Sequence, residues 1–281
     1  MTTQKELEFL THKNRIDEMD KYGRSTAYTK LHKFLKGDRL KGFILTNYAL
    51  AIVDDVLDKN GDCELIKKSG MTLSNGFDDK KISERKKWIK NIAELGRILR
   101  KLDASGFNTS EEIYQEILNF YKADYKDMNR RWNILNQETL DALNQEIGRT
   151  VGAQFMYFLF PDMDKRVTQK ISSIYGLAVK TADNLSDLDR DFNRGYINIS
   201  KENIDKYKLK VKIKKYHPVI VEGNIKKYKK SELQRVKRLF KKADKIIVET
   251  SKKYNKESEK LNILSEGVLK SWLRQAVDSI K

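Results

Sequence analysis

Two groups of aspartates carry the chemistry this chain offers. In Asp54-Asp55-Val56-Leu57-Asp58, Asp54 and Asp58 are four residues apart and share one face of any helix that carries them. Like charges at that spacing repel and cost helix stability. The residues before them, Ala49 to Val53, are apolar. Acid therefore closes a helix otherwise fit for burial, at its negative dipole end. Asp183, Asp187 and Asp191 repeat the spacing of four, with Asp189 beside them, downstream of the apolar Ile174, Leu177, Ala178 and Val179. A divalent cation would relieve the repulsion in both places, and hard oxygen ligands select Mg²⁺, with Mn²⁺ as an alternative, over zinc. One such pair is an ordinary feature of a solvated helix face; two, each closing an apolar helix, point to a paired metal site. Brought face to face across a cavity, they would let Mg²⁺ grip a diphosphate and act as a Lewis acid on it as a leaving group. Ionising an allylic diphosphate leaves a carbocation, which needs a dry pocket and aromatic faces. Phe155, Tyr157, Phe158 and Phe160 are candidates for that lining, and each equally suits an ordinary helical core.

Helices must position these groups. Apolar residues at three- and four-residue spacings, with one wider gap, predict a helix over 5–22, and further stretches, several marked by apolar content or by capping and breaking residues, read as helices over 38–58, 83–102, 139–160, 166–191, 231–253 and 261–280, with another from Thr109 or Ser110 to about Trp132. Thr109 or Ser110 would cap that helix, with Glu111 and Glu112 at its positive end. Between Tyr207 and Val221, Leu209, Val211 and Ile213 alternate with lysines, which fits either a strand or an extended basic loop. No fixed-period repeat or low-complexity linker divides the chain, so residues 1–281 read as a single all-α domain.

Composition narrows the classes. With two prolines and 14 glycines in 281 residues, long uninterrupted helices are allowed. A single cysteine, Cys63, excludes an internal disulfide framework and a cysteine-based zinc site. No apolar run reaches the roughly 18 residues of a spanning helix, and the N-terminus lacks an apolar signal core, so an intracellular, cytoplasmic protein is expected. The net charge of +17 is carried by dispersed lysines and is densest from Lys201 to Lys260. No zinc-finger spacing, RNA-binding aromatic motif or glycine-rich phosphate loop accompanies it, so nucleic acid is not the expected partner. The basic stretch from Tyr207 to Lys230 suits peripheral contact with an anionic membrane.

Asp54 to Asp58, Thr150 to Gly152, Gly176 to Asp191 and Arg194 to Ile204 together resemble the squalene and phytoene synthases, the head-to-head trans-isoprenyl diphosphate synthases. Asp54 to Asp58 resembles the family's first aspartate-rich motif. Thr150-Val151-Gly152 is similar to the Val-Gly segment of its central helix. Gly176 to Asp191 resembles G-x-A-x-Q-x-x-N followed by I-L-R-D-x-x-x-D. Arg194-Gly195-Tyr196-Ile197-Asn198-Ile199-Ser200 and onward to Ile204 resembles R-G-R-(I/V)-Y-L-P-x-E-D-L. The resemblance runs in family order from about Arg24 to Ile204.

The resemblance implies a helical bundle of the isoprenoid synthase type with a central cavity, Mg²⁺ dependence and an isoprenyl diphosphate substrate. It implies metal ligation by Asp54 and Asp58 on one wall and by Asp187 and Asp191 on the other, with Asp183 where the family has Asn. It implies substrate contacts near Ser25, Asn47, Tyr48 and Gly152. Two family arginines are replaced, by Ala51 and Ser186, and the family Gln is Lys180. Lys180, Arg194, Lys30 and Lys33 are the cations available to replace them. A lysine is a point charge rather than a bidentate fork, so the exchange bears on holding two diphosphates at once. Three functions follow: head-to-head joining of two farnesyl or geranylgeranyl diphosphates, cyclisation of one diphosphate by a terpene synthase on the same fold, or a non-catalytic assembly-factor relative.

Overall fold

The computed structural model describes residues 21–60, 73, 87–214 and 217–280, with the backbone alone at 25, 51–60, 87–90, 213, 214, 217–219 and 221. The expected helix over 5–22 and the start of the one over 83–102 lie almost wholly outside the described residues. The chain is mostly helical, as its apolar periodicity predicts. In order come α1 (Arg24–His32), α2 (Gly37–Asn60), α3 (Lys87–Ala104), α4 (Ser110–Asn129), α5 (Gln137–Leu159), α6 (Lys165–Ser186), α7 (Leu188–Asn193) and α8 (Lys201–Lys206). A hairpin of β1 (Lys210–Lys214) and β2 (His217–Glu222) follows. Then come α9 (Ile225–Lys253), α10 (Ser258–Asn262), a π-helical turn (Ile263–Leu269) and α11 (Lys270–Asp278). No helix among the described residues is long and apolar enough to cross a membrane.

Local chemistry sets the boundaries. Asn136 caps α5 by accepting from Thr139 N at 2.8 Å, and Asp164 caps α6 by accepting from Arg166 N at 2.7 Å. Thr109 precedes α4 without capping it through its side chain. Its hydroxyl instead donates to the Tyr157 carbonyl at 2.9 Å, and the Ser110 hydroxyl to Asp103 at 3.0 Å, so tertiary contacts took both groups. The last long helix begins at Ile225, ahead of the expected Ser231, because Asn224 caps it by accepting from Lys227 N at 3.0 Å. The lysine-alternating stretch forms strands: Val211 opposes Ile220 and Lys212 opposes Val219 in an antiparallel register.

The expected continuous helix over 166–191 is broken. α6 stops at Ser186, Asp187 adopts φ −99° and ψ 8°, and α7 starts at Leu188. The Ser186 hydroxyl donates back to the Asp183 carbonyl at 2.9 Å, a competing bond that bends helices. The four-residue backbone bonds survive the break, Asp187 N to Asp183 O at 2.9 Å and Asp191 N to Asp187 O at 2.8 Å. The chain bends without losing the spacing of its aspartates.

Helices α5 and α6 make the closest crossing. A Cβ built on Gly148 would lie 2.1 Å from the Gly176 carbonyl oxygen, and one on Gly176 would lie 2.3 Å from Arg149 N. The two backbones touch there, which only glycine permits. Short connections, 130–136 and 160–164, make α4 and α6 both antiparallel to α5, so the C-terminal ends of α4 and α6 lie at one end of the bundle. Arg149 joins the three helices: its Nη1 donates to Glu116 at 2.6 Å and to Gln169 at 2.9 Å. The main core spans α1 to α6, α9 and the C-terminal helices. A second cluster, around Leu188, Phe192, Ile197, Ile199 and Tyr228, seats α7 and the hairpin.

Candidate active site

A cavity of about 380 Å³ opens between α1, α2, α4, α5, α6, the π turn and α11. Its apolar wall includes Leu31, Phe43, Val151, Phe155, Met156, Ile171, Leu264 and Val268. Tyr28, Phe43 and Phe155 pack against one another there, Tyr28 edge-on to Phe155 and the other two pairs tilted, with ring centroids 5.2 to 6.4 Å apart. The π turn places Leu264, Val268 and Leu269 on this wall. Of the four aromatic candidates only Phe155 lines the cavity. Tyr157, Phe158 and Phe160 are core: Tyr157 accepts from Gln169 at 2.7 Å, and Phe158 packs edge-on to Phe43 at 6.1 Å.

The other wall is acidic. Asp183, Asp187 and Asp191 all line the cavity. Asp124 and Asp127, near the C-terminal end of α4, line it as well. These residues gather where α4 and α6 both present their negative dipole ends, which adds to the pull on a cation. Lys180 Nζ donates to Asp183 Oδ2 at 3.1 Å, and Arg190 pairs with Asp187. Burial first, and then the neighbouring Asp183 and Asp187 charges, push the Asp191 carboxyl well above the usual carboxylate range, against the opposing pull of Lys180 and Arg190. A carboxylate held in that state by burial and by its neighbours is one that a divalent cation would relieve. Among the described residues no three His, Cys, Asp or Glu side chains form a ready-made metal cage. Magnesium held by one or two carboxylates plus substrate phosphates needs no such cage, so the donor set fits it.

Asn47 and Leu50 of α2 also line the cavity. Position 54 follows them by seven and four residues in a helix that runs unbroken to Asn60, so helical spacing continues their row through it. The side chains of Asp54 and Asp58 lie outside the described residues, as does that of Ser25.

The remaining expected contacts divide. Gly152 and Lys180 are on the lining, and Asn47 Nδ2 donates to the Phe43 carbonyl at 3.0 Å. Tyr48 is buried away from the lining with Asn91 as its hydrogen-bond partner, and Arg194 is outside the lining too, at the C-terminal cap of α7.

The sequence reading missed several lining residues. Arg24, 5% exposed, stacks on Trp272 with its guanidinium carbon 3.8 Å from the ring centroid and donates to Gln275. His32 lies edge-on to Phe43, and burial lowers its pKa. Ser172 Oγ, buried on the wall, has no hydrogen-bond partner among the described residues. Asp124 and Asp127 had one signal, a three-residue spacing on a helix, but Lys122 and Lys126 between and beside them made it look like a solvated face.

The chain matches no family model, and no curated protein matches it.

Proposed function

We propose that this protein is a Mg²⁺-dependent enzyme of the isoprenoid synthase type that ionises an allylic isoprenyl diphosphate. The observation that carries the reading is one cavity with a carboxylate-lined wall and an aromatic, aliphatic one. That division suits a substrate with an anionic head and a hydrocarbon tail. Asp54 and Asp58 on one side, and Asp183, Asp187 and Asp191 on the other, are the residues that would hold Mg²⁺, and when bound it would neutralise the diphosphate and polarise its bond to carbon. Lys180, Arg190 and Arg24 supply the positive charge for phosphate oxygens that the two replaced arginines do not. Phe43, Phe155 and Tyr28 enclose the tail and keep water from the cation.

The resemblance favours joining two units head to head, of squalene or phytoene synthase type. A second reading has its own support. About 380 Å³ is near the lower end of the range for a single drug-sized ligand, which suits one prenyl chain folded alone, as in a cyclase. Incubation with farnesyl or geranylgeranyl diphosphate and Mg²⁺ separates the two by product mass: a doubled carbon skeleton for joining, an unchanged one for cyclisation. Recovery of intact diphosphate substrate across both chain lengths would leave the assembly-factor reading in place of either.

Lys206, Lys227 and Lys230 surround an open surface cleft with Tyr207 and Ser231, beside the hairpin. No acid occupies the first turn of α9. This face supports peripheral contact with an anionic membrane, where a hydrocarbon product would be delivered. Vesicle binding is expected to rise with anionic lipid content and to fall with added salt. Equal binding to neutral vesicles would count against it.

A further inference from the structure

One cavity carboxylate is held by an arrangement that reaches behind the wall. Asp191 Oδ2 accepts from Asn198 Nδ2 at 2.7 Å, and Asn198 Oδ1 accepts from Arg130 Nη2. The same guanidinium donates through Nη1 to the Ile197 carbonyl at 3.2 Å and through Nε to Asp127 Oδ1 at 2.5 Å. Arg130 and Asn198 are 8% and 7% exposed. Asp127, Asp191 and Asn198 line the cavity, whereas Arg130 lies outside the lining. Arginine carries donors only. The Asn198 amide must therefore turn its oxygen to Arg130, which leaves its NH₂ for Asp191. Chemistry, rather than an arbitrary choice between oxygen and nitrogen, orients the amide.

The geometry points to Arg130 and Asn198 as positioning residues for the cation-bearing wall: Arg130 fixes the Asn198 amide, and Asn198 fixes the Asp191 carboxylate, tying it to Asp127 on α4. This rests on the diphosphate reading of the cavity. Asp191 sits on the six-residue α7, past the break at Asp187, so α6 does not carry it and the amide adds the support. Holding one oxygen by an amide leaves the other for a cation and removes the rotation that would cost affinity on binding. Hydrogen-bond partners of metal-ligating groups are typically worth 10- to 100-fold in metal affinity.

The test must separate this role from simple stapling, because the end of α4 also clasps the segment after α7. Arg131 donates to Tyr196 Oη at 2.8 Å, and Trp132 N donates to Gly195 O at 2.8 Å. The Asn198 backbone carbonyl is held separately by Tyr228 Oη at 3.4 Å, so the amide can be removed while that tether stays. Calorimetric titration of inorganic diphosphate with Mg²⁺ into the full chain reads binding without turnover. Asn198→Leu is expected to weaken it by about 10- to 100-fold in protein that still melts cooperatively. Arg130→Lys keeps the charge but loses the fork, and should fall between that variant and the wild type. Arg131→Met loosens the clasp without touching Asn198 and should bind as the wild type does. Wild-type affinity in Asn198→Leu, or in Arg130→Lys should Asn198→Leu fail to fold, would overturn the inference, as would an equal loss in Arg131→Met. A wild type that binds no magnesium diphosphate gives a different result: it overturns the diphosphate reading and the inference with it.

Discussion

Asp187→Ala is expected to lower Mg²⁺-dependent diphosphate release from a prenyl diphosphate by at least about 10²- to 10³-fold, the scale for removing one group that stabilises developing charge. Asp187 sits at the joint between α6 and α7, lines the cavity and is 13% exposed through its side chain. It pairs with Arg190, which is 53% exposed, so that pair adds little to folding. The backbone bond from Asp187 N to Asp183 O does not depend on the carboxylate. The variant should therefore keep its thermal midpoint and lose its activity. Asp189→Ala is the matched control. Asp189 is 87% exposed, pairs with Lys229 and lies outside the lining, so its loss should leave release unaltered. Equal release from Asp187→Ala and the wild type would reject both the joining and the cyclising enzyme.

The second large effect is on stability. Gly148→Ala puts a methyl 2.1 Å from the Gly176 carbonyl, where the obstacle is backbone on a packed helix and cannot swing aside. Overpacking of this kind costs about 1–3 kcal/mol or more. At about 2–4 °C per kcal/mol for a chain near this size, the thermal midpoint should fall by about 2–12 °C. Gly152→Ala, one turn along the same helix, meets nothing closer than 3.6 Å, an ordinary contact. It should hold the midpoint or raise it, since alanine exceeds glycine in a helix interior by up to about 1 kcal/mol. Equal midpoints for the two variants, read by circular dichroism, would mean that α5 and α6 do not cross at this pair.

The helices were legible because apolar-rich stretches end at capping and breaking residues, and α2 and α5 match their expected bounds to within two residues. The strand-or-loop choice at Tyr207 to Val221 was settled by pairing, which alternation alone cannot supply. The break at Asp187 was hidden because it turns on one serine hydroxyl bonding back to a carbonyl. On the site, the spacing of Asp183, Asp187 and Asp191 gave the acidic wall, and α6, the joint at Asp187 and α7 together bring all three to the cavity. Asp124, Asp127, Arg24 and Trp272 were not legible. Their part depends on which helices become neighbours, and each sits among charged or aromatic residues that read as ordinary surface or core. Tyr157, Phe158 and Phe160 show the converse: an aromatic run on one helix spreads around it, so only Phe155 of the four faces the cavity.

On the proposed reading the acidic wall would grip a diphosphate head through magnesium while the tail would lie against Phe43 and Phe155. Inorganic diphosphate released by the wild-type chain from farnesyl diphosphate and from geranylgeranyl diphosphate, with Mg²⁺ and then with excess chelator, tests it most directly. Steady release from at least one of them that stops on chelation is the result expected. No release from either, or release that ignores the chelator, would contradict it.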